Sequence, residues 1–268
     1  MPDDSVPLFL VDAFTPSPFA GNPAGICLLP HWFEERQLQT IAMEMNQSET
    51  AFLVGEGNRY DLRWFTPTSE VDLCGHATLA SAHLLWEEGL ADGDQEIQFE
   101  TRSGRLTAYR REDVYELDFP ADVVEETSPL DGLLEALGVS ARFVGRAKFD
   151  LLVEVGTEAE LLQIAPDFRR LASIPTRGVI VTCASERPAF DFLSRFFAPA
   201  FGIDEDPVTG SAHCCLGPFW AERLNREVVR GYQASQRGGV VSVRVRGPRV
   251  LLGGEAVTVL RGELPPLA

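Results

Sequence analysis

The sequence predicts an α+β protein made of two pseudo-symmetric domains, each a mostly antiparallel mixed sheet or barrel wrapped around a central apolar helix. Two observations support this fold class. The segment EVDLCGHA at residues 70–77 is closely similar to EDPVTGSA at residues 205–212. An aromatic-rich strand precedes each copy, and an apolar stretch long enough for a helix follows it. The same strand–turn–glycine–helix unit therefore occurs once in each half of the chain.

In the first half, alternating and apolar runs predict most of the elements. The expected strands cover residues 8–14, 24–29, 50–54, 61–65, 96–101, 105–110 and 114–119. A helix with one apolar face is expected at residues 34–45, and the segment 76–88 is apolar on nearly every side until its last turn. A helix that is apolar all round is a buried helix, so residues 76–88 are predicted to form the centre of a first domain, residues 1–120.

The second half repeats this organisation after a charged segment at residues 120–129. The expected strands cover residues 150–155, 178–183, 190–197, 228–234, 240–245 and 256–261, with a helix near 131–137 and another between the first two strands. The second apolar helix, residues 211–224, is expected to be kinked by Pro218. It is predicted to form the centre of a second domain, residues 121–268.

Composition limits the classes of function. The formal net charge of −17 disfavours nucleic acids and anionic membrane surfaces as partners. No apolar run reaches the roughly 20 residues of a membrane-spanning helix, and residues 1–4 lack the basic start of a signal peptide. Five cysteines in apolar contexts are typical of reduced thiols. We therefore expect a cytoplasmic protein with no nucleic-acid or membrane partner.

The residues that cofactors need are scarce. Lys148 is the only lysine, and no glycine-rich phosphate loop surrounds it, which disfavours pyridoxal phosphate and Schiff-base chemistry. The nucleotide-binding patterns G-x-G-x-x-G and G-x-x-x-x-G-K-[ST] do not occur. His213, Cys214 and Cys215 are adjacent on a predicted helix, where they point in different directions and cannot readily chelate one ion. We therefore expect neither a cofactor nor a metal.

A series of motifs resembles the PhzF-like (phenazine biosynthesis) isomerases. They are FTPSPFAGNPAG at residues 14–25, MNQSETAF at 45–52, FTP at 65–67 with DLCGHAT at 72–78, DPVTGSA at 206–212, and a late QASQRGG at 233–239. Each motif alone is weak, whereas their common order is specific. The resemblance implies the diaminopimelate-epimerase fold, with an active site in the cleft between two domains.

The resemblance also implies roles for individual residues. Glu49 would shuttle a proton as general acid and base, with Ser48 beside it. His76 and Asp206 would be catalytic polar groups that face the substrate. Donors to a substrate carboxylate would come from Gly75, Gly210 and Ser211.

The chemistry of proton transfer at carbon agrees with these residue types. A carboxylate whose pKa is raised by an apolar environment can both take and return a proton near neutral pH. Charge that develops on the substrate would be stabilised by N–H groups at the two helix starts. The substrate is expected to be a small molecule that carries a carboxylate, and the protein is expected to be a homodimer.

One departure separates two mechanisms. Epimerases of this fold use two cysteines as opposed bases, and Cys74 stands where the first would be. Counting back from Thr209–Gly210 puts the second at Pro207, which cannot act as a base, so proton transfer on one face by Glu49 is expected. Two alternatives stay open: a Cys74-dependent epimerase or acyl-transfer enzyme, and a non-catalytic protein that binds small molecules or partners.

Overall fold

The computed structural model describes residues 5–112 and 114–265, and the chain divides into two compact units. The first unit consists of Met1–Asp118 and Gly253–Ala268, and the second of Phe119–Leu252. Both contain strands and helices, which confirms the α+β class. The acidic start at residues 1–4, on which the expected location partly depends, lies outside the described residues. Within the described ranges, no helix is both long and apolar enough to cross a membrane.

The first unit is built on a mixed sheet that is mostly antiparallel. Its elements in chain order are β1 (Val6–Ala13), β2 (Asn22–Leu28), α1 (Glu35–Met45), β3 (Glu49–Glu56), β4 (Arg59–Phe65), β5 (Glu70–Val71), α2 (Gly75–Glu87), β6 (Ile97–Thr101), β7 (Gly104–Arg111) and β8 (Val114–Pro120). The pairs β2–β3 and β4–β6 are parallel, and α1 and α2 are their crossovers. The pairs β1–β2, β3–β4, β6–β7 and β7–β8 are antiparallel.

The second unit repeats this order of pairings. Its elements are β9 (Glu125–Glu126), α3 (Leu133–Leu137), β10 (Phe143–Arg146), β11 (Asp150–Glu154), α4 (Glu158–Gln163), α5 (Phe168–Leu171), β12 (Gly178–Ala184), β13 (Phe192–Phe197), α6 (Gly210–Leu224), β14 (Val228–Gln233), β15 (Gly239–Arg246) and β16 (Arg249–Gly254). The pairs β11–β12 and β13–β14 are parallel, whereas β10–β11, β12–β13 and β14–β15 are antiparallel. The last strand, β17 (Ala256–Leu264), pairs antiparallel with β1 of the first unit.

The two apolar helices are buried, as their composition predicts. In α2 every residue from His76 to Trp86 is buried, and the helix packs on β1, β2, β3 and β17. In α6 most residues from Gly210 to Ala221 are buried, and the helix packs on β14 and β15. Each helix begins one residue before the predicted start, at a glycine.

Pro218 lies inside α6, where it cannot donate an N–H to the carbonyl four residues earlier. That carbonyl belongs to Cys214, and the N–H of Asp122 donates to it at 3.1 Å. The helix assignment continues through the proline from Gly210 to Leu224. The Cys214 carbonyl, which has no helical donor because of Pro218, is thus satisfied by Asp122 at the start of the second unit.

The structure differs from the sequence expectations in two places. The units meet at residues 118 and 119, two residues from the expected boundary, but the segment 253–265 belongs to the first unit and not to the second domain of 121–268. The sequence patterns also did not predict β5, β9, β10 and β16, and they predicted one helix where α4 and α5 lie. β10 has only four residues, and β16 ends in two glycines, which weaken a strand pattern.

Candidate active site

Glu49 is the first residue of β3, and pairing on both sides fixes its place. β3 lies parallel to β2, where Ala24 is the partner of Glu49, and antiparallel to β4. The Glu49 side chain is 16% exposed. Burial raises the pKa of its carboxyl group, and hydrogen bonds with Ser48 and Cys74 oppose that rise. Glu49 therefore has the surroundings that a carboxyl group needs to exchange protons above its usual pH range.

His76 lies between Glu49 and Cys74 at the start of α2. Its Nε2 atom is 3.5 Å from Glu49 Oε2, and its Nδ1 atom is 3.5 Å from Cys74 Sγ. Both His76 and Cys74 are buried. The structure thus brings a carboxyl group, an imidazole and a thiol into one cluster, which we call the Glu49 cluster (Glu49, Cys74 and His76).

Ser48 connects this cluster to β2. Its Oγ atom is 3.4 Å from His76 Nε2 and donates to Asn22 Oδ1, also at 3.4 Å. Asn22 is fully buried at the start of β2. The sequence reading did not select Asn22, although its place in the GNP segment of the first motif was the available signal.

The loop before Asn22 is held in a tight conformation. Gly21 has φ +64°, and a Cβ atom there would lie 2.1 Å from the carbonyl oxygen of Ala13. A side-chain oxygen of Asp12, near the end of β1, accepts the N–H of Phe19 in this loop at 2.7 Å. Because only glycine fits both the angle and the space, Gly21 sets where Asn22 enters β2.

Both apolar helices begin without a side-chain cap. Cys74 and Thr209 are the N-cap residues, each with an extended backbone, and neither side chain accepts a hydrogen bond from the first turn. The first N–H groups of a helix have no partner within the helix and lie at the positive end of its dipole. Gly75 and Gly210 are the first residues of these helices, and their assignment as groups that bind a carboxylate stays a prediction.

Asp206 lies in the second unit, in the turn before α6. The hydroxyl of Thr209 donates to Asp206 Oδ2, and the amide of Gln233 donates to the Asp206 carbonyl at 2.8 Å. Gln233 Oε1 accepts the Thr209 N–H at 2.9 Å, and Gln233 is fully buried. Gln233 therefore fixes the turn that carries Asp206. Gln233 is the first residue of the QASQRGG motif, and the sequence alone does not indicate this role.

Ser211 is held by a neighbour that the sequence reading did not identify. Arg177 Nη2 donates to Ser211 Oγ at 2.9 Å. The same guanidinium donates from Nε and Nη2 to the carboxylate of Asp150, which is 1% exposed. A hydroxyl that accepts from a cation keeps its own proton for another acceptor, so Ser211 is oriented as a donor.

The two helix starts correspond residue by residue, and this corrects one expectation. Gly75 and Gly210 are both the first helical residues, so the residue equivalent to Cys74 is Thr209. The assignment of that position to Pro207 was wrong because it placed the equivalent residue two positions too early. The second position still lacks a thiol, since threonine replaces the cysteine.

His213, Cys214 and Cys215 are buried in α6. His213 Nδ1 contacts the Thr209 carbonyl at 2.8 Å, and burial lowers the pKa of His213 to about 4. Burial also raises the pKa of Cys214 to about 12, which leaves it as an unreactive thiol at neutral pH. The three residues contribute to the core of the second unit.

Of the predicted site residues, Ser48, Glu49, Gly75 and His76 meet in the first unit. Asp206, Gly210 and Ser211 lie together around the start of α6 in the second. Each set surrounds the beginning of a buried helix.

This chain is similar to known proteins over almost its whole length. Residues 11–262 match the PhzC-PhzF family, described as phenazine biosynthesis-like protein. An uncharacterized isomerase of Halalkalibacterium halodurans is 51% identical, over 97% of this chain and 98% of that protein.

Solved structures extend the comparison. A PhzF family protein from Enterococcus faecalis superposes with a TM-score of 0.92 at 42% identity, over 97% of this chain and 99% of that one. A probable proline racemase from Agrobacterium radiobacter shares the fold, with a TM-score of 0.62 at 13% identity over 97% and 92% of the two chains. The predicted fold class is confirmed, and the chain belongs to the PhzC-PhzF family of phenazine biosynthesis-like proteins.

Proposed function

We propose that this protein is an isomerase that moves a proton on a small carboxylic-acid substrate, with Glu49 as the group that takes and returns the proton. The observation that supports this most is the largely buried Glu49 carboxyl, whose pKa is raised and which lies 3.5 Å from His76. The name isomerase belongs to the relative from Halalkalibacterium halodurans and supports the reaction type.

The proposed reaction has two steps on one face of the substrate. The Glu49 carboxylate removes a proton from a carbon that is activated by the substrate's carboxylate or conjugated system, and the electron pair moves into that system. The resulting carboxylic acid then returns the proton to a different carbon. A raised pKa makes the first step easier, because a carboxylate of higher pKa is a stronger base, and it lets Glu49 hold the proton near neutral pH until the second step. No electron leaves the substrate, so the reaction needs no redox cofactor.

His76 and Ser48 have supporting roles in this proposal. Both contact the cluster through His76 Nε2, which lies 3.5 Å from Glu49 Oε2 and 3.4 Å from Ser48 Oγ. They would orient Glu49 and bind a polar group of the substrate. Asp206 is proposed to contribute a second polar contact, which an Asp206→Asn variant would test through a raised KM.

A single base follows from the internal repeat. β3 and β12 have equivalent pairings, because Thr50 is opposite Phe65 on β4 just as Val179 is opposite Phe197 on β13. The residue equivalent to Glu49 is therefore Gly178. A Cβ atom at Gly178 would lie 2.2 Å from the ring of Phe196, so no carboxylate fits there.

The test is solvent hydrogen exchange with a Glu49→Gln variant. The wild-type protein, incubated in deuterated water with a panel of small carboxylic acids, is expected to place deuterium on carbon of its substrate. Glu49→Gln keeps the size but removes the base, so we expect turnover to fall by at least about 1000-fold. Glu56→Gln, an exposed glutamate on the same strand, is the matched control and should retain full activity. Activity of Glu49→Gln within tenfold of wild type would contradict the proposal.

Cys74 as the base is the second candidate, because its thiol contacts both His76 and Glu49. Cys74→Ala distinguishes the two. If Glu49 is the base, Cys74→Ala should lower kcat by no more than about tenfold, since it removes only a hydrogen bond. A loss as large as that of Glu49→Gln would favour the cysteine mechanism.

A further inference from the structure

The Glu49 cluster contains three different metal-binding groups in one small volume. One ligand atom from each of Glu49, Cys74 and His76 lies within 4.8 Å of the other two. Cys74 and His76 are buried, and Glu49 is mostly buried. Among the residues that the structure describes, no other three residues of the types His, Cys, Asp and Glu come together in this way.

The separations in this cluster are long for hydrogen bonds. The Glu49–His76 contact is 3.5 Å between oxygen and nitrogen, and the Ser48–His76 contact is 3.4 Å. Ordinary N–H···O bonds are about 2.7 to 3.2 Å long. The edges between ligands of a tetrahedral zinc ion, with Zn–N near 2.0 Å and Zn–S near 2.3 Å, are about 3.3 to 3.6 Å. The Glu49–His76 and Cys74–His76 contacts, both 3.5 Å, have this length but use different nitrogens of His76, and the three ligand atoms as a set lie within 4.8 Å of one another.

The donor set selects the class of metal. A thiolate, an imidazole and a carboxylate suit Zn²⁺ and softer divalent ions, whereas Mg²⁺ and Ca²⁺ prefer oxygen donors alone. Three protein ligands leave a fourth position of the tetrahedron open. In this structure Nδ1 of His76 faces Cys74 and Nε2 faces Glu49. Metal binding therefore requires a rotation of the imidazole ring that directs one of its nitrogens at the ion.

We propose that the Glu49 cluster is a binding site for Zn²⁺ and that the bound ion inhibits the protein. On binding, the thiol of Cys74 loses its proton to solvent and its sulfur bonds the metal, while Glu49 binds as a carboxylate. The two negative ligands balance the charge of the ion, which lowers the cost of burying it. Inhibition follows because a Glu49 carboxylate bound to a dication is a much weaker base and no longer accepts a proton from carbon. The inhibition rests on the proposed function, whereas the binding does not.

The test is a Cd²⁺ titration of the full chain after dialysis against a chelator, followed by the ultraviolet charge-transfer band of thiolate-bound cadmium. We expect one equivalent of Cd²⁺ to produce the band and Zn²⁺ to displace it. Cys74→Ser should abolish the band. His76→Gln and Glu49→Gln should weaken Cd²⁺ binding by at least about tenfold, a typical effect of losing one group at a metal site.

The matched control is Cys215→Ser, because Cys215 Sγ lies 3.5 Å from Asp122 in the second unit and is the competing thiol–carboxylate pair. This variant should keep both the band and the stoichiometry. A band that survives in Cys74→Ser, or that is absent in wild type, overturns the site. Equal affinity in wild type, His76→Gln and Glu49→Gln also overturns it. Circular dichroism of each variant shows that loss of the band is not loss of folding.

An activity measurement separates this proposal from the proposed function. If both proposals hold, Zn²⁺ inhibits the solvent hydrogen exchange catalysed by the wild-type protein. The inhibition constant then equals the Zn²⁺ affinity measured by competition with Cd²⁺. If the band saturates but Zn²⁺ leaves activity unchanged, the inhibitory part is wrong and the role of Glu49 as base is also contradicted. If wild type shows no band, the site is wrong and the proposed function is unaffected.

Discussion

At the scale of single residues, Glu49 shows how burial and hydrogen bonding compete. Burial opposes ionisation of its carboxyl group, whereas bonds with Ser48 and Cys74 favour it, and burial is the larger effect. A surface glutamate would titrate in its usual range, and its more weakly basic carboxylate would take a proton from carbon poorly. The combination places a proton-exchanging group at the start of a strand that is rigidly paired on both sides.

This raised pKa gives a testable dependence of stability on pH. In the folded state the protonated form of Glu49 is favoured, so its stabilisation is present below the unfolded value of 4.5 and is lost as pH rises through the higher folded pKa. Glu49→Gln does not titrate. We therefore expect the unfolding free energy of Glu49→Gln minus that of wild type to rise with pH, by about 1.4 kcal/mol for each unit of pKa elevation.

Urea unfolding of both proteins between pH 4.5 and pH 8 measures this difference, since all other titrating groups are shared. If the unfolding free energy of Glu49→Gln minus that of wild type falls as pH rises, the folded protein stabilises Glu49 as a carboxylate. That result would contradict both the raised pKa of Glu49 and its proposed role.

The sequence predicted the individual site residues only where a motif carried them. Glu49, His76 and Asp206 lie within segments that resemble the family, so their positions could be chosen. Arg177 could not be chosen, because nothing local distinguishes it from the other arginines. Its significance depends on Asp150 and Ser211, which are 27 and 34 residues away and meet it only in the folded sheet.

Asp150 gives the second prediction at the residue scale. It is 1% exposed and bound by Arg177 through two charge-assisted bonds, whereas the Arg177 side chain is 35% exposed. Asp150→Asn removes the charge that holds the guanidinium, and we expect it to lower the unfolding free energy by about 2 kcal/mol. Glu100→Gln breaks an exposed pair with Arg105 and should change it by less than about 1 kcal/mol. Equal effects of the two variants in urea unfolding would show that burial of the pair contributes nothing.

At the scale of elements, most helices and strands could be predicted, and those that were missed have a common cause. The apolar helices and the predicted strands have a recognisable pattern over five or more residues. β5 and β9 have two residues each, β10 has four, and β16 has glycines at both of its last positions. Their strand structure is imposed by pairing with neighbours that are distant in sequence, and local propensity cannot show this.

The equivalence of β3 and β12 can be tested at Gly178. A Cβ atom there would be 2.2 Å from Phe196 Cζ, and Phe196 is buried. Gly178→Ala should therefore cost about 1 to 3 kcal/mol of unfolding free energy through overpacking. The control is Gly93→Ala, where the nearest atom would be 3.6 Å away at the end of the Arg110 side chain. If chemical denaturation shows Gly178→Ala to be as stable as wild type, Phe196 does not fill the space that a base would need.

At the scale of the whole molecule, the internal repeat extends beyond the helix starts. Arg63 on β4 bonds both oxygens of Glu70 at 2.7 and 2.6 Å, and Arg195 on β13 bonds those of Glu205 at 2.7 and 2.9 Å. Each guanidinium also lies about 5 Å from the centre of a phenylalanine ring two residues further along its strand. The same ion pair thus fastens the turn before each buried helix. The repeat could be read from the sequence because this turn needs similar residues in both units.

The internal repeat does not show that β17 belongs to the first unit. The position of this strand leads to the final prediction. The second unit is one continuous segment, Phe119–Leu252, whereas the first unit needs β17 from the end of the chain to pair with β1 from Val6 to Ala13. Without β17, β1 loses a whole ladder of hydrogen bonds, and the face of α2 that packs on β17 is uncovered.

We therefore expect the fragment 119–252 to unfold cooperatively in urea. The fragment 1–118 should lack a cooperative transition unless residues 253–268 are joined to it through a flexible glycine–serine linker. Circular dichroism of the three fragments measures this. If the fragment 1–118 unfolds cooperatively by itself, β17 is an accessory strand and the division of the chain into a discontinuous and a continuous unit does not describe its folding.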